Sequence, residues 1–443
     1  MLKKSRDNNG AFDNLPKKML LKNIHVVDNE EKLNGRKSVV IQNGKIADIL
    51  DKAPTTFDGE IREDDNFVLM PGFYDMHVHF REPGREDEET LETGCFTAAN
   101  GGFTGVACMP NTEPAIDSQE VVNFISQETS DYLVDVHPVA AVTKLREGKE
   151  LAPIAEMVEA GAVAISDDGS PVMNAELMRR ALEYSKMFDI PILGHEEDSN
   201  LSNNRHMHEG FYSTKLGIQG IPALSEEIMV ARDIMLTEFT GGRFHVCHIS
   251  SRGSVELVRR AKAKGLNVTC EVTPHHFTLT DQVVESYDTN TKMNPPLRSA
   301  DDLQAIIDGL KDGTIDAIAT DHAPHSIEEK EAEYIYAPFG ITGLETALGL
   351  ISSQLLDTKI LSLTDIYNLC VKNPRKILNL DIPQLKIGEN ANLTLFKQNL
   401  NWTYNESVSF SKSQNTPFKN HSLTGRSAVV INKGKIFETP SLK

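Results

Sequence analysis

Eight short apolar runs recur along the middle of the chain, at 72–79, 104–109, 134–142, 162–166, 190–195, 244–250, 267–272 and 316–320. Between them lie longer stretches, among them 118–129, 174–188, 225–238, 252–264 and 300–310, with apolar residues at helical spacing and Ser, Asn or Asp at several of their openings. Eight strand–helix units predict an α/β fold of the (β/α)8 TIM-like kind, whose reactive groups gather at the C-terminal ends of the strands. A doubly wound open sheet is the competing architecture, but it gives no reason for polar residues at so many strand ends.

A barrel of this kind takes about 250 residues, and the chain has 443. The surplus lies at both ends, which resemble each other. The segment 38–46 reads Ser-Val-Val-Ile-Gln-Asn-Gly-Lys-Ile and 428–436 reads Ala-Val-Val-Ile-Asn-Lys-Gly-Lys-Ile, each two β runs joined by a glycine-containing turn. With the apolar run 392–396, they predict one small β-sandwich domain built from both termini. The expected division is a flexible extension over 1–18, the first part of the β domain over 19–70, the barrel over 71–380 and the rest of the β domain over 381–443.

The formal charge of −19, from 64 acidic against 45 basic residues, argues against nucleic acid or an anionic membrane as partner. It does not exclude an anionic substrate, because a local arginine or metal ion overrides a negative surface. Five cysteines with no C-x-x-C spacing read as reduced thiols and fit a reducing cytoplasm. The first 18 residues have neither the apolar core of a secretion signal nor the acid-poor character of a transit peptide. No run approaches the ~18 apolar residues of a membrane span. The expected location is the cytoplasm.

Candidate ligands fall where a barrel would gather them. His77 and His79 stand two apart at the end of the first run, so on a strand they face the same side, and Arg81 follows in a Pro-Gly loop. Asp167 and Asp168 follow the fourth run, His195 ends the fifth, His248 ends the sixth and Asp321 follows the eighth. His245 differs in strand parity from His248 and reads as structural. Four histidines and two carboxylates exceed the needs of one tetrahedral zinc, so two metals sharing a bridging carboxylate are expected. Such a pair makes hydroxide available near neutral pH and polarises a carbonyl, which points to hydrolysis.

The motifs over 75–84 (Asp-Met-His-Val-His-Phe-Arg-Glu-Pro-Gly), 109–112, 166–169, 195–198, 245–250, 292–298 and 319–325 together resemble the dihydroorotases of the amidohydrolase superfamily. The type is the bacterial zinc enzyme without a carboxylated lysine, and the resemblance runs from about residue 20 to about residue 437. It implies that His77, His79 and Asp321 hold one zinc, that His195 and His248 hold the other, and that Asp168 bridges the two. It also implies His79, Arg81, Asn111, Asn294 and His325 as substrate contacts, with the backbone of Phe339 and Gly340 over the ring and Asp321 as the catalytic proton carrier. The implied reaction is the reversible cyclisation of N-carbamoyl-L-aspartate to L-dihydroorotate by a zinc-bridged hydroxide, a step of pyrimidine synthesis. A homodimer and an association with aspartate transcarbamoylase are the protein partners that the resemblance leaves open.

Two alternatives stand beside this reading. Hydantoinases and allantoinases bridge their metals with a carboxylated lysine, for which 164–168 (Ala-Ile-Ser-Asp-Asp) offers no residue. A non-catalytic partner subunit of aspartate transcarbamoylase would have lost ligands, and none is missing here. His275 and His276 are expected to act as supports, and His206 and His208 border the pocket without assigned roles. The acidic run 328–333 reads as a solvated loop or helix end. Asn392 stands where the family more often has aspartate, outside the catalytic motifs.

Overall fold

A computed structural model of the chain describes residues 12–442. Each of the eight expected runs contains a strand: β1 Phe73–Val78, β2 Phe103–Cys108, β3 Asp135–Ala140, β4 Ala164–Ile165, β5 Ile192–Gly194, β6 Phe244–Val246, β7 Val268–Val272 and β8 Ala317–Ile318. They pair in chain order as one parallel sheet. The first and last edges then meet through a parallel bridge between Val78 and His322, where the His79 amide donates to the His322 carbonyl at 2.8 Å. That contact closes the barrel and rules out the open sheet.

A helix follows every strand: α1 Leu91–Gly101, α2 Gln119–Glu128, α3 Ile154–Glu159, α4 Ala175–Ser185, α5 Leu224–Thr240, α6 Arg252–Ala263, α7 Ala300–Lys311 and α8 Leu344–Ile351. Several openings are capped by the residues the sequence offered. Asn174 accepts from the amides of Glu176 and Leu177, Ser251 accepts from Ser254, and Ser299 and Asp302 form a reciprocal capping box. Inside the barrel, Tyr74, Met76, Met109 and Leu193 interdigitate with small residues such as Ala107, Ala164 and Ala317, filling it as a core. Among the described residues no helix is long and apolar enough to cross a membrane.

The chain ends form one nine-stranded sheet. Its N-terminal and C-terminal halves join where Phe67–Pro71 runs antiparallel to Leu393–Thr403. The two similar hairpins, Leu33–Gln42 with Lys45–Leu50 and Ser422–Asn432 with Lys435–Glu438, turn at Asn43-Gly44 and Lys433-Gly434. All four turn residues have positive φ, between 50° and 76°, as a two-residue type I′ hairpin turn requires. The curled sheet encloses its own core, including Met19, Leu21, Val39, Ile41, Leu69, Leu395 and Ile431. This is the expected sandwich.

Of the extension expected over 1–18, residues 1–11 lie outside the described residues. From Phe12 onward the chain is packed: Phe12 stacks on Phe96 with ring centroids 4.3 Å apart and meets Tyr132 and Phe437 edge-on, while Asp13–Asn14 pairs with Lys435–Glu438. Phe12 therefore fastens the β domain to α1. Phe12→Ala should cost about 3 kcal/mol, seen as a lower urea midpoint, with kcat per folded molecule unchanged.

Candidate metal centre and substrate pocket

The six expected ligands converge at the C-terminal rim of the barrel, and all are buried. Asp168 stands in the middle. Its Oδ1 lies 3.4 Å from His77 Nε2, 3.6 Å from His195 Nδ1 and 3.5 Å from His248 Nε2, and its Oδ2 lies 3.4 Å from His79 Nε2. Asp321 Oδ1 lies 3.0 Å from His79 Nε2 and 3.5 Å from His77 Nε2. Two ligand sets result, His77, His79 and Asp168 on one side and Asp168, His195 and His248 on the other, joined by that one carboxylate.

The backbone is bent to achieve this. Arg81, His248 and Asp321 all adopt left-handed φ, of 62°, 33° and 50°, at a cost of roughly 1–3 kcal/mol each. The bend at His248 also defeats the parity argument. Strand β6 ends at Val246, so His245 and His248 can both reach the interior. His245 nevertheless stays out of the centre, bonding Thr269 Oγ1 at 2.8 Å and lying 3.4 Å from Glu271.

Supporting groups set the direction of the first two imidazoles. His77 Nδ1 donates to Glu271 Oε1 at 2.7 Å and His79 Nδ1 donates to the Asn111 amide oxygen at 2.6 Å, so each ring turns Nε2 toward the centre. His77 Nε2 and Asp168 Oδ1 are buried there without a hydrogen-bond partner. Burial alone would raise the pKa of Asp168 and Asp321, but the surrounding imidazoles outweigh it and hold both carboxylates below their usual range. The pull is mutual: burial disfavours charge on His195, yet Asp168 and Glu197 raise its pKa to about 10. A divalent cation among these atoms would stand in place of those protons and leave the rings neutral, so the donor set fits a metal.

Asp167 has a different task. It accepts from the Thr143 amide at 3.0 Å and from the Thr143 hydroxyl, which anchors the loop after β3. Arg146 reaches the Asp168 carbonyl at 2.6 Å. Asp167 and Asp168 are thus divided between scaffold and centre.

The expected substrate contacts surround the centre. Arg81 is buried, with Nε donating to the Pro324 carbonyl at 3.1 Å and lying 3.1 Å from Glu88. Asn294 donates to Glu197 at 2.7 Å and lies 3.3 Å from His195. Both ring nitrogens of His325 are engaged, one 2.9 Å from Glu88 and the other 2.7 Å from the Phe339 carbonyl. Gly340 donates to the Lys292 carbonyl at 3.0 Å, and at φ 132° a Cβ there would strike Ala323 and His325 at 2.9 Å. A cleft of about 600 Å³ opens beside these groups, lined in part by Arg146, Glu197, His206, Lys292 and Phe339.

Of the remaining histidines, His276 bonds Thr273 and the Pro295 carbonyl and so steadies the turn carrying Asn294. His208 lies 3.4 Å from Arg298, which also binds Ser250 beside His248. The acidic run is less solvated than expected, because Glu329 pairs with Arg85 at 2.9 Å and Lys330 is buried among the carbonyls of Thr289, Lys292 and Pro338.

Sequence reasoning missed Glu271, Glu88 and Asn415. Glu88 lies in the acidic stretch 86–89 and Asn415 in the polar stretch 411–416, and no apolar periodicity marks either. Asn415, from the β domain, ties together two segments near the pocket: its side-chain amide donates to the carbonyls of Ala323 at 2.9 Å and Gly340 at 3.0 Å and accepts from the His325 amide at 3.1 Å.

A family model described as Dihydro-orotase-like matches residues 66–254. The dihydroorotase of Pelotomaculum thermopropionicum is 48% identical over 419 residues, covering 95% of this chain and 98% of the relative. That of Syntrophus aciditrophicus is 47% identical, covering 95% and 99%. Among solved structures, the L-hydantoinase (dihydropyrimidinase) of Arthrobacter aurescens superposes with a TM-score of 0.83 over 97% of this chain and 96% of its own, at 22% identity. At that identity the likeness concerns the fold.

Removing the Asn415 amide should loosen the 323–340 wall of the pocket without touching a ligand. Asn415→Ala is expected to raise KM on the order of 10-fold, with metal content unchanged by elemental analysis.

Proposed function

The chain belongs to the dihydroorotase family and is a cyclic amidohydrolase, and on that footing we propose that it interconverts L-dihydroorotate and N-carbamoyl-L-aspartate at a centre of two zinc ions. The observation that carries this reading is Asp168, the one carboxylate that the two ligand sets share. His77, His79 and Asp321 would hold one ion, His195 and His248 the other, with Asp168 between them. Bound there, the ions supply an activated water and a Lewis acid toward the ring carbonyl.

The chain's own groups do the rest. Arg81 grips the substrate carboxylate through its terminal guanidinium nitrogens, since Nε is already committed to Pro324. Asn111 and Asn294 offer amide groups to the ring edge. Ring opening adds water across the amide C–N bond, giving a new carboxylate on carbon and an N–H on the released nitrogen. Asp321 Oδ, ionised across the neutral range, takes the proton from the attacking water and delivers it to that nitrogen. His325 steadies the Phe339 backbone, and through Glu88 it shares the support of Arg81.

The hydantoinase alternative rests on fold likeness at 22% identity, and 164–168 still offers no lysine. A non-catalytic subunit would have no use for six converging ligands and three strained rim residues. Purified protein of known metal content, assayed by ultraviolet absorbance on dihydroorotate beside hydantoin and allantoin, tests the choice. Turnover of either control above that of dihydroorotate would reverse it.

The division of labour between the paired aspartates predicts that Asp168→Ala loses the second zinc and most turnover, whereas Asp167→Ala retains both metals. Elemental analysis of the two variants checks it. For the proton carrier, hydrolysis converts a monoanion into a dianion and releases a proton, so the equilibrium should favour ring opening by about tenfold per pH unit upward and ring closure downward. Asp321→Asn should lose ~10²-fold or more of kcat in both directions. Near-normal turnover of that variant with both zincs bound would assign the proton to another group.

A further inference from the structure

Lysine is rarely buried, because its ammonium gives up the hydration that an apolar side chain of the same size would not need. Among the described residues two lysines are buried, Lys292 at 2% exposure and Lys330 at 6%. Their nitrogens are met by backbone carbonyls in place of carboxylates. Both belong to one wall of the pocket.

Lys330 ends the short helix Ile327–Lys330, and its Nζ donates to the carbonyls of Thr289 at 3.0 Å, Pro338 at 2.9 Å and Lys292 at 3.3 Å. Lys292 reaches back the other way. Its Nζ donates to the carbonyls of Tyr334 at 2.8 Å and Ile335 at 3.0 Å and stands 4.7 Å from the centre of the Phe339 ring. Each lysine therefore starts in one segment and holds the other, 289–292 on one side and 330–339 on the other. The Thr289 hydroxyl adds a bond to the Lys330 carbonyl.

We infer that Lys292 and Lys330 form a reciprocal clasp that positions the Phe339–Gly340 backbone for the substrate. The carbonyl just before Phe339 is held by Lys330, and the Phe339 ring lies under the Lys292 ammonium. The Gly340 amide donates at 3.0 Å to the Lys292 carbonyl, the same oxygen that Lys330 caps. Asn415 fixes the far side of this peptide at the Gly340 carbonyl. An apolar pair of similar volume would pack there at no desolvation cost but would orient no carbonyl, so what the two ammonium groups supply is direction. Their donors are spent within the wall, which makes them positioning residues. The inference deepens the proposed function and rests on its placing of Phe339 and Gly340 against the substrate ring.

Steady-state kinetics and hydrogen exchange of the full-length, zinc-loaded protein test it. In Lys330→Met and in Lys292→Met, KM for dihydroorotate is expected to rise ~10-fold or more while kcat falls less than ~3-fold, with zinc content unchanged. Amides over 334–340 should exchange at least ~10-fold faster than in the wild type. The double variant should raise KM little beyond the larger single effect, because either loss opens the same clasp. Lys330→Gln keeps two N–H donors and should fall between the wild type and Lys330→Met, and it carries the test where the methionine variant does not fold. Exchange is independent of turnover, so a wild type inactive on dihydroorotate would strike the proposed substrate while exchange still judges the clasp. Unchanged KM in the folded, zinc-loaded variants, unchanged exchange over 334–340, or single effects that multiply in full in the double variant would each overturn the proposal.

Discussion

One carboxylate governs the site. Asp168 is buried among four imidazoles, and a charge so placed is tolerated only where opposite charge or donors surround it. Every nearby group can be read as a response to that demand. The imidazoles point at it, Asp321 adds a second negative charge 3.0 Å from His79, and together they make a cradle that only protons or cations can balance. The barrel supplies the means, because parallel strands deliver six side chains from five different strand ends to one rim.

Holding those chains in place requires a second layer of contacts. Glu271, from β7, grips His77 and lies within reach of His245, and the two histidines depress its own pKa to about 2 despite burial. Asn111 fixes His79 in the same way. Three rim residues with left-handed backbone show that the cradle is not the relaxed shape of these loops. The rest of the fold bears that cost: barrel closure at Val78 and His322 lies between His77 and Asp321, and the Asp75 carboxylate accepts from the amides of both His77 and Thr320.

The β domain is more than a flanking module. Its segment around 411–415 reaches under the pocket, where Ser411 bonds Glu89 at 2.5 Å and Asn415 ties the backbones of Ala323, His325 and Gly340. Arg81 and His325, from opposite ends of the barrel sequence, share Glu88 as their anchor. The pocket wall is therefore assembled from three distant stretches of chain.

Much of this was legible beforehand. Apolar runs alternating with helical stretches gave the barrel, the repeated Val-Val-Ile…Gly-Lys-Ile hairpins gave the β domain, and His-x-His with strand-end Asp and His gave the centre, because periodicity and strand-end position are local properties. The packing of Phe12, the buried Lys330 and the inward reach of both His245 and His248 were not legible. Phe12 finds its partners more than eighty residues away, and the turn at His248 breaks the strict alternation that a strand would impose. The sequence by itself determined which residues could bind metal and which architecture would gather them. Only the tertiary structure decided that Asp167 is spent on the Thr143 loop, and that Glu271, Glu88 and Asn415 hold the site in shape. Those choices depend on the direction of single side chains after strands end and on hydrogen bonds across hundreds of residues, and neither leaves a periodic mark in the chain.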